Sequence, residues 1–324
     1  VDRCFAPQTP DEKVKTMGTH LAVLGEALMD CIAQSDGRLL PLMGGSPYNM
    51  ARAAARRGTT VSYLNPLSSD TFGQGLGALL AADGVATVGG TSAKPTSLAV
   101  VQIHQGQPSY GFYREGIADR DYTPDSVLAR LPATPGVMHT GSLLLVPPEH
   151  EKAVAVLQTA RARGWTISVD VNLRVKLAAD VAAYVRAVRS VLPHVDWLKA
   201  SDEDLSVLGF DGVALENSAI LVAQLRTLAG SGRLSRVALT FGAEGAYLDV
   251  DGQVAKGEAP RVNVVDTVGA GDTFWGNCLG DWCEGPEEAS TRVPETLRWA
   301  MQAAAINCTR AGCEPPTWVE VQAR

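Results

Sequence analysis

Apolar residues follow two rhythms along the chain. Near the N-terminus, short apolar runs are broken by turn-forming pairs. The run His20–Leu28 (HLAVLGEAL) is apolar almost throughout, which predicts a buried strand. Cys31–Met43 alternates weakly around Ser35-Asp36-Gly37, a turn. Gly44-Gly45-Ser46-Pro47 opens a predicted helix through Asn49–Arg57, with Gly58 placed to cap its C-terminus. Thr60–Leu64 reads as a short strand, and Asp70–Ala82 as a second helix stopped by Asp83-Gly84. Thr96–His104 and Pro108–Arg114 alternate on either side of Gln105-Gly106-Gln107, the pattern of a hairpin with one exposed face.

From Val137 onward the rhythm becomes strand–helix–strand. Strands are predicted at Gly136–His139, Thr166–Asp170, Trp197–Ala200, Val237–Thr240 and Ala246–Val250, with helices such as Pro148–Arg163 and Ala178–Val191 between them. Repeated βα alternation predicts an α/β fold with a doubly wound, mostly parallel sheet flanked by helices. The stretches 31–43 and 96–114 interrupt it and read as a small β appendage on the sheet's edge.

Composition narrows the possibilities. The chain has 324 residues, 46% hydrophobic and 19% charged, as expected of a folded protein rather than a disordered one. Its net charge, 28 − 35 = −7, argues against a nucleic-acid partner. No apolar run approaches the roughly 18 residues of a membrane-crossing helix, so no membrane partner is expected. Residues 1–16 are polar and Met17 closely precedes the first strand. The expectation is a leader at 1–16 and a single domain over 17–324. Six cysteines are too few for a disulfide scaffold and point to a reducing, cytoplasmic location. Cys278/Cys283 and Cys308/Cys313 are spaced like metal pairs at first sight. Neither is CxxC, and the offset separates the thiols around a helix axis, so buried thiols are the expected reading over zinc.

The segment richest in chemistry is Val262–Gly276, VNVVDTVGAGDTFWG. It passes from β-branched residues through Asp266-Thr267 into Gly269-Ala270-Gly271-Asp272 and then a helix pattern. Glycines let a backbone approach a ligand closely, and a helix N-terminus offers unpaired N–H groups to an anion such as phosphate. Asp272 inside that positive field suits a general base aimed at a nucleophile that attacks the bound phosphate. GAGD alone would serve equally as a capping turn; the strand and Asp-Thr before it favour the ligand site.

Competing motifs fail. No GxxxxGK[ST] is present, and after Gly269-x-Gly271 the third glycine of a dinucleotide fingerprint is replaced by Phe274. That disfavours a nicotinamide oxidoreductase. No GxSxG or HExxH occurs, and the histidines, His139 and His150 included, read as packing residues. A second constellation lies near the N-terminus, where Asp30, Gly44-Gly45 and Asn49 fall at a strand end and a helix start. A carboxylate and an amide beside close backbone can grip sugar hydroxyls, although each alone is also an ordinary turn or cap residue.

Taken together these motifs resemble the PfkB (ribokinase-like) family of carbohydrate kinases. Gly44-Gly45-Ser46-Pro47-Tyr48-Asn49-Met50-Ala51 matches its N-terminal signature and Asp266–Phe274 its C-terminal one. Asp70-Thr71-Phe72-Gly73, Asp170-Val171-Asn172-Leu173-Arg174 and Thr240–Gly245 fit between them in order. The resemblance implies ATP-dependent transfer of the γ-phosphoryl group to a sugar hydroxyl. Asp272 falls on the catalytic base and Gly269, Ala270 and Gly271 on the anion hole. Asp30, Gly45 and Asn49 fall on sugar-binding positions. Lys199, Ser201, Thr240, Gly242, Gly245, Asn307 and Gly312 fall on the nucleotide side, with Asn307–Gly312 near the adenine. Where many members carry Asn-x-x-Glu near magnesium, this chain has Ser201-Asp202-Glu203-Asp204, so Asp204 and Glu203 are the candidates to hold a hydrated Mg2+. Asp266 falls near a monovalent cation site, implying K+. The stretches 31–43 and 96–117 correspond to a β lid that covers the sugar and often mediates dimerisation. A homodimer is therefore expected, paired through a lid face carrying Leu98, Val100 and Ile103.

The lid sequence Gly111–Asp119 with Gly25–Asp30 is similar to the fructokinase branch. The rival is the 2-keto-3-deoxygluconate kinase branch, in which a lid Tyr-Arg pair, here Tyr113 and Arg114, and Arg174 would grip a carboxylate. A non-enzymatic alternative keeps the scaffold and binds sugar and nucleotide without turnover.

Overall fold

The computed structural model describes residues 18–34, 36–104 and 107–323. The expected leader at 1–16, Met17, Ser35 of the first turn and the Gln105-Gly106 pair lie outside the described residues. Strand β1 (Leu21–Val23) is wholly buried and sits inside a nine-stranded sheet. The chain then leaves that sheet for the hairpin β2 (Leu28–Ala33) and β3 (Leu39–Gly44). It returns through α1 (Ser46–Arg57) to β4 (Val61–Tyr63). After β5 (Leu67–Ser68), α2 (Thr71–Ala82), β6 (Val85–Thr87) and β7 (Thr91–Ser92), it leaves again for the hairpin β8 (Ser97–His104) and β9 (Gln107–Tyr113).

The second half is more regular. Helix α3 (Pro124–Leu128) leads into β10 (Val137–Gly141), α4 (Glu149–Ala162), β11 (Thr166–Asp170), α5 (Val181–Val191) and β12 (Trp197–Ser201). Then come α6 (Asp202–Val207), α7 (Ser218–Ala229), β13 (Arg236–Thr240), β14 (Ala246–Val250) and β15 (Gln253–Gly257). Helices α8 (Ala270–Glu284), α9 (Val293–Cys308) and α10 (Trp318–Gln322) end the fold.

The main sheet runs β15-β14-β13-β12-β11-β10-β1-β4-β6, parallel from β13 to β6. An apolar cluster covers each face, as burial of a parallel sheet on both sides requires. The strand order reverses between β1 and β10. In such sheets ligands bind beyond the C-terminal strand ends at that reversal, and Glu26, Asn172 and Ser201 follow or end β1, β11 and β12 there. A separate four-stranded sheet, β3-β2-β8-β9, is formed by the two segments expected to make the lid.

Several boundaries differ from the sequence reading. His20–Leu28 is not one strand. Gly25 turns the chain, with its N–H bonded to Asn65 Oδ1 at 2.6 Å, and Pro47 fills the space a Cβ would need. Strand β2 therefore starts at Leu28, and Asp30 lies on a lid strand rather than after a core strand. Strands β2 and β3 thus begin and end outside the expected 31–43, while β8 and β9 fall within the expected 96–117. Strand β14 is antiparallel to β13, because the five residues between Thr240 and Ala246 are too few for a crossover. Helix α5 begins at Val181, where Asp180 accepts from the Ala183 N–H and caps it.

Candidate active site

Two helix N-termini converge on one point. Helix α8 packs on α1 through Gly276, whose missing side chain lets Ala53 and the Met50 carbonyl come close. Trp275 and Trp282, both fully buried and edge-on at 5.3 Å, seat α8 in the core. The start of α1 then faces the start of α8. Gly45 precedes α1 at φ 115°, and a Cβ there would strike the Glu26 carbonyl. Gly269 precedes α8 at φ 73°, and a Cβ there would strike Cys313 Sγ.

Asp272 sits where the helices meet, only 6% exposed. Ser46 Oγ donates to its Oδ1 at 2.8 Å and Asn49 Nδ2 donates to its Oδ2 at 3.0 Å. Burial pushes its carboxyl above the usual carboxylate range, and the Asn49 and Ser46 donors, with Arg174 and Lys199, oppose that rise. The first turn of α8 leaves the Gly271 and Asp272 amides without an intrahelical acceptor. The Ala270 amide turns back to the Thr267 carbonyl at 3.2 Å. Lys199 Nζ lies beside Gly271, 3.4 Å from where a Cβ would stand. It bonds both oxygens of Asp170 at 2.9 Å in a buried ion pair. Burial works against the Lys199 charge, but the Asp170, Asp204 and Asp272 carboxylates hold its ammonium above the ordinary lysine value.

A cleft of about 1260 Å³ runs from the lid past Asp272 to α9. Its lid end is lined by Glu26, Asp30, Gly45, Asn49, Asn172 and Arg174, with Leu28, Phe112 and Leu143 as apolar walls. Burial raises Asp30 to about 6, with Arg174 opposing and Asp272 adding to the rise. The other end is lined by Thr240, Gly242, Gly245, Gly312 and Met301. Ser201, Glu203 and Asp204 line the middle. Asp204 is committed to the fold: Oδ2 accepts from the Ser201 N–H and Oγ at 2.8 Å, and Oδ1 from the Leu173 N–H at 2.7 Å. Glu203 is exposed and lines the cleft. Magnesium needs only one or two protein carboxylates besides phosphates and water, and Glu203 is the exposed carboxylate here that would supply one.

Four expected residues stand outside the cleft lining. Tyr113 is 65% exposed, because alternation along β9 gives the cleft face to Phe112. Arg114 turns inward to Asp119, at 3.4 Å. Asn307 is fully buried; its Nδ2 donates to the Val268 carbonyl at 2.8 Å and its Oδ1 accepts from the Glu314 N–H. Asp266 accepts from the Val268 and Gly312 amides at 3.0 and 2.9 Å and so ties two cleft loops together.

Sequence reasoning did not single out Glu26, Ser46, Asn172 or Phe112 as site residues. Glu26 is 1% exposed, accepts from the Ser46 N–H at 3.1 Å, and is raised to about 7, chiefly by burial. A lone carboxylate inside an apolar run was its signal. Of the cysteines among the described residues, Cys278 and Cys283 are buried in the core, while Cys308 and Cys313 line the cleft; all are free thiols. His139 is buried against Ser168 Oγ at 2.9 Å.

Comparison with known proteins places the chain in a family. The pfkB family carbohydrate kinase model matches residues 18–319. A probable fructokinase of Arabidopsis thaliana is 30% identical over 315 residues, 92% of this chain and 94% of the relative. A fructokinase of Rhizobium leguminosarum bv. trifolii is 31% identical over 255 residues, 77% of this chain and 76% of the relative. Among solved structures, a fructokinase from Xylella fastidiosa with bound ATP superposes with a TM-score of 0.79 at 26% identity, covering 94% of this chain and 97% of that one. A fructokinase from Vibrio cholerae, with a TM-score of 0.80 at 22% identity, shares the fold. The chain belongs to the pfkB family of carbohydrate kinases, phosphotransferases that act on a sugar hydroxyl.

Proposed function

We propose that the protein phosphorylates fructose with ATP. The observation that carries this reading is the place of Asp272, a buried carboxylate at a helix N-terminus, midway between a polar lid pocket and a glycine-lined cleft. The sugar would lie at the lid end, with Asp30 accepting from its hydroxyls and Asn49 and the Gly45 backbone orienting it. ATP would lie along Thr240, Gly242, Gly245 and Gly312. Asn307 and Asp266 would act at one remove by fixing the loops that shape the nucleotide end. The γ-phosphorus would face the Gly271 and Asp272 amides and the Lys199 ammonium, which stabilise charge on a loose phosphoryl group. Asp272 would accept the proton of the attacking hydroxyl, help typically worth about 10²–10⁴-fold. Lid closure would exclude water.

Magnesium, when held through Glu203, would neutralise phosphate charge. Asp204 would fix the position of Ser201 and the start of α6, and Asp266 would lend charge to a potassium ion in its loop.

Fructose is favoured by the relatives' names and by Arg114. The lid arginine expected to help grip a carboxylate-bearing sugar, Arg114, is turned to Asp119 at 3.4 Å. A cytoplasmic location fits the free thiols and the ATP requirement. Pairing of two copies through this sheet is supported by exposed Leu39, Leu40 and Tyr113 rather than by the expected face, since Leu98 and Val100 pack partly buried against the core and the Ile103 side chain lies outside the described residues.

The test is ADP release with magnesium and ATP over a panel of fructose, ribose, glucose, 2-keto-3-deoxygluconate and adenosine. Fructose should lead. The keto acid ahead would reassign Arg174 as a carboxylate clamp, and no turnover on any member would overturn the enzymatic reading.

A further inference from the structure

Both oxygens of the Asp272 carboxylate already carry a protein donor, and one of them is a hydroxyl. Ser46 Oγ donates to Oδ1 at 2.8 Å, while Asn172 Nδ2 donates to the same Oγ at 2.7 Å. Glu26 Oε1 accepts from the Ser46 N–H at 3.1 Å and holds the residue from behind. The serine hydroxyl does not cap its helix: Gly45 is the N-cap of α1, and that cap has no side-chain bond. Ser46 lines the cleft, so its hydroxyl stands where a substrate hydroxyl must arrive.

Water competes for the same place. Removing the serine oxygen would leave a gap faced by Asp272 Oδ1 and Asn172 Nδ2. Those atoms now bond a single oxygen between them, and two polar partners meet the minimum for an ordered water. A water held there would touch the base and lie in the phosphoryl-transfer cleft. Its oxygen would bond to the γ-phosphorus as the bond to the ADP oxygen breaks, its proton would pass to Asp272, and the products would be ADP and inorganic phosphate.

We propose that Ser46 guards the base: its hydroxyl, clamped by Asn172, keeps water off Asp272 until a sugar hydroxyl displaces it. Ser46 is a positioning residue and forms no bond to phosphorus. This inference rests on the reading of Asp272 as the base. The charged and titratable groups that face Asp272 come from other elements: Arg174 after β11, Lys199 on β12, Asp30 on β2, Asp170 on β11 and Cys313 before α10. A serine substitution leaves all of them in place.

The experiment measures ATP hydrolysis without sugar and phosphoryl transfer with saturating fructose, for wild type, Ser46→Ala, Asn172→Ala, Asp272→Asn and Ser46→Ala with Asp272→Asn. The ratio of hydrolysis to transfer should rise about tenfold in Ser46→Ala, equivalent to about 1.4 kcal/mol between the two barriers. It should rise less in Asn172→Ala, which frees the hydroxyl without deleting it. The added hydrolysis should vanish in the double variant. A merely structural role lowers both activities together and leaves the ratio where it was. That result in either folded single variant, or added hydrolysis that survives loss of Asp272, overturns the inference. Wild-type transfer by Asp272→Asn would instead overturn the assignment of the base itself.

Discussion

Exchanging Glu26 for glutamine should stabilise the fold at pH 8 and change it little at pH 5. Glu26 is 1% exposed, and burial lifts it from the ordinary 4.5 to about 7 even with Arg114 nearby. Between those values the folded chain holds a proton that the unfolded chain releases, so stability falls as pH rises through that window. At about 1.4 kcal/mol per pH unit, the rise amounts to about 3 kcal/mol, fully felt above pH 7. Glutamine removes that penalty and keeps an oxygen for the Ser46 N–H. Its new amide donor, if left unpaired beside Ser142, costs about 1 kcal/mol. The net gain at pH 8 is then about 2 kcal/mol, or about 3 °C in Tm for a chain this long. Asp30, Asp119 and Asp170, also raised by burial, are common to both proteins and cancel in the difference. Thermal unfolding of both proteins at pH 5 and pH 8 is the assay. An equal Tm difference at the two pH values would refute the reasoning, because it would mean that Glu26 does not titrate in that window.

Other consequences follow from the site's geometry. Asp30→Asn removes a charged acceptor from the lid pocket and should raise the KM for fructose about tenfold or more while sparing the KM for ATP, as steady-state kinetics with each substrate varied would show. Gly276→Ala places a methyl 2.7 Å from Ala53 Cβ and 2.8 Å from the Met50 carbonyl. It should cost about 1–3 kcal/mol in urea unfolding and slow turnover by parting Asn49 from Asp272; unchanged stability would show that α1 and α8 can separate freely. Lys199→Met strands Asp170 in the core without its partner and should destabilise by about 3–5 kcal/mol, seen as a lower midpoint in the same titration.

The C-terminal half of the fold was legible because each element carries its own period: β-branched runs for strands, longer amphipathic stretches for helices. The start of α8 was legible from Gly269-Ala270-Gly271-Asp272 itself, but the β-branched run before it, expected as a strand, is an irregular segment with Val264 and Val265 exposed, because no neighbouring strand among the described residues pairs with it. The lid was less so. In HLAVLGEAL the core strand and the lid strand are both buried, so apolar character runs unbroken through the corner, and only Gly25 and Glu26 mark it. Tyr113 and Arg114 were expected together at the sugar. On a strand, neighbours face opposite ways, so Phe112 took the cleft, Tyr113 the solvent, and Arg114, past the strand's end, turned to Asp119. Ser46 was legible only as part of a motif. Its role depends on Asp272 and Asn172, far away in sequence, which only folding brings within hydrogen-bonding distance.

The measurement that bears most directly on the central claim is ADP release by wild type and Asp272→Asn under saturating ATP, magnesium and fructose. The account predicts ready fructose-dependent turnover in the wild type. In a variant that folds normally, kcat should fall by at least about two decades. Wild-type turnover in Asp272→Asn would contradict it, because the buried carboxylate at the head of α8 would then have no part in moving the proton.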